Sequence, residues 1–114
     1  MGDRAVICHE SVNKNNKHEH LGIYVHWHGC ESYIKQFMEA AKNAKVRHYS
    51  TDDSYCMARL CQVIANIIDG NEQKDYGIGI NTISNLDYDN GDNGVYYFND
   101  NFDIVKHTDG KELN

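Results

Sequence analysis

From Gly22 to His28 the chain alternates: Ile23, Val25 and Trp27 fall on one side, and Tyr24, His26 and His28 on the other. That two-residue period predicts a strand whose first set faces a core. Ala5 to His9 predicts a shorter strand, and residues 11–19 between them (SVNKNNKHE) have nothing to bury and read as a polar loop. The period then changes. Ile34, Phe37, Met38 and Ala41 recur at i, i+3, i+4 and i+7, the spacing of one buried helical face, with Ser32 placed to cap it after Gly29-Cys30-Glu31. Lys42, Lys45 and Arg47 near the end of this helix suit the negative end of its dipole.

A second helix is predicted behind Thr51, Asp52 or Asp53, running to Ile68 and stopped at Asp69-Gly70. Met57, Ala58, Leu60, Cys61, Val63, Ile64, Ala65, Ile67 and Ile68 cover most of its circumference, so the helix is expected to be largely buried. One polar stripe interrupts it: Tyr55, Arg59, Gln62 and Asn66 line up along one side. A third strand is predicted from Tyr76 to Asn81. The turn formers of Asn85 to Gly94 (NLDYDNGDNG) predict a loop, and Val95 to Phe98 and Phe102 to His107 two more strands joined by a hairpin turn at Asn99-Asp100-Asn101. The order β-β-α-α-β-β-β lacks the alternation that would demand a parallel sheet. The expected fold is α+β, a mostly antiparallel sheet of about five strands with two helices packed on one face.

With 114 residues the chain is expected to form a single domain, residues 108–114 being a flexible tail. No signal peptide is expected, because Met1-Gly2-Asp3-Arg4 runs into only Ala5 to Cys8 before His9-Glu10. The longest apolar stretch, Val63 to Ile68, is broken by Asn66 and falls far short of the ~20 residues that span a bilayer, so no membrane partner is expected. The four cysteines are expected to be reduced thiols, since 40% apolar content does not need disulfide staples. Seventeen acidic residues against 11 basic ones, a net charge of −6, argue against a partner such as a long nucleic acid. A small anionic ligand stays open, because a pocket needs only a few well-placed donors.

Several residue groups carry candidate chemistry. His18, His20, His26 and His28, followed by Cys30, offer zinc ligands, with His26, His28 and Cys30 the candidate set and the two strand histidines on one face; the bland reading is two ordinary strand histidines. Asp87 to Gly94 imitates a calcium loop without the EF-hand register, and reads more simply as a turn-rich connector. Cys30 at a helix start could be an activated thiol with His28 or His26 as base. Asp52 and Asp53 are helix-opening caps rather than an acid/base pair. Arg59, on an otherwise apolar helix, needs either an internal salt bridge to Asp87, Asp89 or Asp92, or an anionic ligand. In the second case Tyr55, Arg59 and Gln62 line a pocket beside Tyr24 and His26, where tyrosines supply stacking surface for a flat group.

The opening MGDRAVI, the strand IYVHW running into Gly29, the helix YCMARLCQVI, the segment GIGI and the loop NLDYDNGDNGVY together resemble a group of small proteins encoded by bacteriophages and prophages. The likeness runs from Arg4 to about His107. The group's strand-to-helix turn reads HWNGG, so His28 and Cys30 stand where asparagine and glycine are usual, which weakens the zinc and thiol readings. His26, Trp27, Gly29, Tyr55, Arg59 and the acidic loop match. The resemblance implies a protein acting in the cytoplasm of an infected bacterium against host defence. By analogy with such proteins, the expectation is a homo-oligomeric sponge without cofactor or catalytic residue. It binds a small nucleotide-derived immune signal through Tyr24, His26, Trp27, Gly29, Ser32, Tyr55, Arg59 and Gln62, near the two helix N-termini. The alternatives are an acidic interaction protein that masks a host protein and a metal-assisted hydrolase of a nucleotide signal.

Overall fold

Residues 2–69 and 77–114 are described by a computed structural model. The elements are β1 (Ala5–His9), β2 (Leu21–Val25), α1 (Glu31–Asn43), α2 (Asp53–Asp69), β3 (Ile78–Thr82), β4 (Val95–Phe98) and β5 (Ile104–Thr108), with 3-10 turns at Ile83–Asn85 and Lys111–Leu113. They form an α+β fold with a sheet ordered β3-β2-β1-β4-β5. β1 and β4 run parallel at its centre and every other neighbouring pair is antiparallel. The central strands have no polar face because the sheet is covered on both sides. On one side Ala5, Ile7, Ile23, Val25, Tyr96 and Phe98 meet the buried residues of α1 and α2. On the other, Val6, Cys8, Val95 and Tyr97 are covered by Val12, Ile83 and Leu113.

That second layer corrects the expected flexible tail. Leu113 is fully buried, and Lys17 donates to its carbonyl (2.5 Å) and to the Tyr88 hydroxyl (2.7 Å). Glu112 accepts hydrogen bonds from the hydroxyls of Thr108 (2.6 Å) and Tyr97. Gly110 turns the chain at φ 92°, where a Cβ would collide with the Tyr88 carbonyl.

Local expectations shift at element ends. β2 stops at Val25, because His26 donates to the Gly77 carbonyl while its own carbonyl accepts from Asp3; Trp27 is therefore 49% exposed rather than a core residue. Cys30, not Ser32, is the N-cap of α1, and Ser32 lies inside the first turn. Lys42 is in the last turn, whereas Lys45 (φ 55°) and Arg47 lie beyond the helix. Asp52 caps α2, accepting the Tyr55 N–H at 3.3 Å. α2 is half-buried rather than largely buried: Cys56, Met57, Leu60, Val63 and Ile64 pack inward, Ala58 is exposed, and Cys61, Ala65, Ile67 and Ile68 are partly covered, since the sheet and α1 lie against one side of it. The last hairpin is longer than expected. Phe102 takes φ 61°, Asn99 holds the turn through the N–H groups of Asn101 and Asp103, and β5 begins at Ile104. The expected strand start at Tyr76 and the glycine stop at Gly70 lie outside the described residues.

Candidate functional site

The eight residues expected to share one pocket divide between two ends of the sheet. Gly29 lies past the Val25 end of β2, its N–H donating to the Asp3 carbonyl at 2.8 Å. The start of α2 lies past the Leu21 end, where Tyr49 holds His20 (2.7 Å). α1 connects the two ends, and its 13 residues at ~1.5 Å each span roughly 20 Å. A joint pocket built from both helix N-termini is therefore not formed within one chain. Gly29 is a structural glycine: a Cβ there would press on the Asp3 carbonyl and on Ala5, and its amide is already used inside the chain.

At the Val25 end, Tyr24, His26 and Trp27 line a cleft of about 400 Å³ with Gly77, Ile78 and Gly79. The Tyr24 hydroxyl and His26 Nδ1 lie 2.7 Å apart, and the imidazole stands edge-on to the indole at 4.5 Å. Partial burial raises the Tyr24 pKa; Arg4 counters this, and Asp87 and Asp92 add to it. The tyrosine is neutral at pH 7 and presents a hydrogen-bonding hydroxyl.

Along α2, which starts at the other end, the polar stripe survives as expected: Tyr55, Gln62 and Asn66 are exposed and Arg59 is half-buried. Arg47 lies over the Tyr55 ring at 4.3 Å. It also lines a cleft of about 550 Å³ whose rim carries Lys42, Lys45 and His48. The expected salt bridge from Arg59 to the acidic loop is absent among the described residues. Asp92 (2.7 Å) and Asp87 (3.4 Å) pair with Arg4, and Asp89 with Lys111 (3.7 Å). Hydrogen bonds from Arg4 hold the Asp92 carboxyl below its usual range. Arg59 Nε is buried without an acceptor, and such a desolvated donor favours an anion or carbonyl brought to it.

The metal and thiol alternatives do not assemble. His26 is engaged with Tyr24 and Trp27, His28 packs edge-on to Tyr33 (4.7 Å), and Cys30 Sγ sits 3.3 Å from Ser32 Oγ. Among the described residues no group of three His, Cys, Asp or Glu side chains could hold a metal ion. The four cysteines are unpaired.

Sequence reasoning missed two arrangements. Asn90, 4% exposed, ties the acidic loop together, and Arg4 and Asn93 tie the loop to the N-terminal segment. At the end of β1, His9 bridges Ser11 Oγ (2.9 Å) and Asp100 Oδ1 (2.8 Å), with Tyr49 stacked on it at 4.5 Å. Ser11 also donates its backbone N–H to the same ring nitrogen, and Asp100 accepts the Ser50 N–H. This string, buried at His9 and reaching the surface at Ser11 and Ser50, joins three chain segments as a polar tie. Nothing local announces it, since Asp100 is 91 residues from His9. Compared with models of protein families, with curated proteins and with solved structures, the chain finds no match. No described helix is long and apolar enough to cross a membrane.

Proposed function

We propose that this chain binds and sequesters a small anionic, nucleotide-type ligand without turning it over, as a homo-oligomer acting for a phage against a host defence. The observation that carries the reading is Arg59: its Nε is buried without an acceptor, and the loop carboxylates that could have matched it are paired elsewhere. The surroundings agree. In a chain of net charge −6, the Tyr55–Arg59–Gln62 stripe adjoins, through Arg47, a cleft lined by Lys42, Lys45 and His48 together with Asp100; Lys45 and His48 are its unpaired basic groups among the described residues, since Arg47 pairs with Asp52 (3.2 Å) and Lys42 with Asp103 (2.7 Å). A guanidinium beside an aromatic ring suits a phosphate joined to a flat base. The aromatic cleft of Tyr24, His26 and Trp27 offers a second stacking surface, which an assembly of chains would have to bring toward Arg59.

Native mass spectrometry of the protein with linear and cyclic mono-, di- and trinucleotides, including ADP-ribose derivatives, tests the reading. The expected result is a mass excess that disappears on denaturation and releases the ligand chemically unchanged. Arg59→Ala should lose that excess while keeping its circular dichroism. No retained panel member, conversion of the ligand, or unfolding of Arg59→Ala overturns the proposal.

A further inference from the structure

The two edges of the sheet are treated differently by the sequence. β5 is guarded: the strand pair it belongs to is bulged between Tyr97 and Phe98, Lys106 lies over the Tyr97 ring, and Asp103 just before it binds Lys42 at 2.7 Å. Charges and bulges of this kind discourage a further strand. β3, with the sequence IGINT, has no charge, no proline and a regular register to β2.

The main-chain groups exposed along β3 follow from its hydrogen bonds. Ile83 donates to the His20 carbonyl and the Gly77 carbonyl accepts from His26, so every second residue between them, Gly79 and Asn81, faces β2. Ile78 and Ile80 therefore turn their N–H and C=O groups outward, while the outward N–H of Thr82 is met by Asn81 Oδ1 at 2.7 Å. Ile80 stands opposite Ile23, on the helix-covered face, and remains 45% exposed. On that face α2 packs over β2 and β3 with Cys61, Ile67 and Ile68 only partly covered. A Cβ at Gly79 would meet nothing within 4 Å.

We propose that β3 is a self-pairing edge: two copies join antiparallel about a two-fold axis through Gly79, making one continuous ten-stranded sheet from two five-stranded ones. The short sequence is self-complementary. Ile78 of one copy faces Ile80 of the other, forming about four main-chain hydrogen bonds, and the uncharged strand meets its own likeness without bringing carboxylates together in a strongly acidic protein. The clefts holding Tyr24, His26 and Trp27 are lined by Gly79, so the same pairing sets two of them side by side across the axis. This inference supplies the contact for the oligomer of the proposed function and rests on that reading only for its purpose; its test involves no nucleotide.

In this arrangement Gly79 faces its counterpart as a non-hydrogen-bonded pair, with Cα atoms ~4.5 Å apart, within the ~4.4–6.8 Å range of disulfides. Gly79→Cys should form a disulfide-linked dimer under mild oxidation, well above the background of the wild-type cysteines. Light scattering of the wild type at about 100 μM should give an even multiple of 13.1 kDa. Ile80→Lys should weaken the pairing by at least tenfold, with unchanged circular dichroism. A wild-type mass of a single chain, or absence of the Gly79→Cys crosslink in a wild-type oligomer, overturns the edge pairing. Nucleotide retention by such a protein would leave ligand sequestration standing and remove only its oligomeric part.

Discussion

Replacing Asn90 tests whether the acidic loop is a built structure or a slack connector. Its Nδ2 donates to the carbonyls of Asp87 (3.0 Å) and Gly94 (3.2 Å), and its Oδ1 accepts from the N–H groups of Asp92 and Gly94 (3.0 Å each). In Asn90→Ala the Gly94 carbonyl keeps the Val6 N–H at 2.9 Å, and exposed Asp92 finds water. The Gly94 N–H is then left buried without a partner, which costs roughly 1–3 kcal/mol. Loosening the loop also frees the exposed Arg4 ion pairs, which adds little. That roughly 1–3 kcal/mol lowers the melting temperature by about 5–15 °C in a domain of this size. Asn90→Asp sharpens the test, because it keeps the acceptor but aims a carboxylate oxygen at the Asp87 and Gly94 carbonyls. That aspartate is more stable protonated, when it can donate again, so the deficit at pH 7 should shrink as the pH falls toward 5. Urea unfolding followed by circular dichroism measures both variants. Asn90→Ala within about 0.5 kcal/mol of wild type, or Asn90→Asp equal to wild type at pH 7, would refute the reasoning.

Leu113→Ala should cost about 2–5 kcal/mol in thermal unfolding, because Leu113 is fully buried under the sheet; a near-neutral result would return the C-terminus to a tail. Burial raises the Glu112 carboxyl, but hydrogen bonds from Thr108 and Tyr97 outweigh it and hold the pKa below the usual value. The stabilisation is therefore complete above about pH 4.5 and is lost as the pH falls through the lower folded value, so Glu112→Gln should flatten the acid limb of a melting-temperature profile. Native thiol titration should modify Cys30 and Cys61 well before the others. Cys8 and Cys56 are fully buried, and burial pushes Cys56 up to about 12 and Cys8 higher still.

Features carried by short-range pattern were legible. The buried face of α1 and the polar stripe of α2 depend on residues within one or two turns and stand where periodicity put them, and the cap of α2 falls on Asp52, one of the three residues expected. Features set by pairing over distance were not. Arg4 finds Asp92 across 88 positions, and Lys17 reaches the Leu113 carbonyl across 96, so neither the tied loop nor the docked C-terminus has a local signal. β1 hides its place for a related reason: all five of its residues are buried, and a strand covered on both faces loses the alternation that would show which neighbours it takes.

The misplaced half of the candidate site differs, because its signal was present. Two helices joined by a short connection lie antiparallel, which puts their N-termini at opposite ends. Residues 44–52, nine residues long, return the chain to the start of α2 beside α1 and are fastened midway by Tyr49 to His20 and by Ser50 to Asp100. Gly29 and Ser32 therefore could not have shared a pocket with Tyr55 and Arg59 in one chain. The residues nevertheless present two different surfaces, an aromatic cleft at one end and, near the start of α2 at the other, a cleft carrying cations that meets the polar stripe through Arg47. A ligand carrying both a flat base and phosphates would reach both only where neighbouring chains meet, and because β3 pairing sets aromatic cleft beside aromatic cleft, bringing one to the unmatched Arg59 takes a second contact between chains.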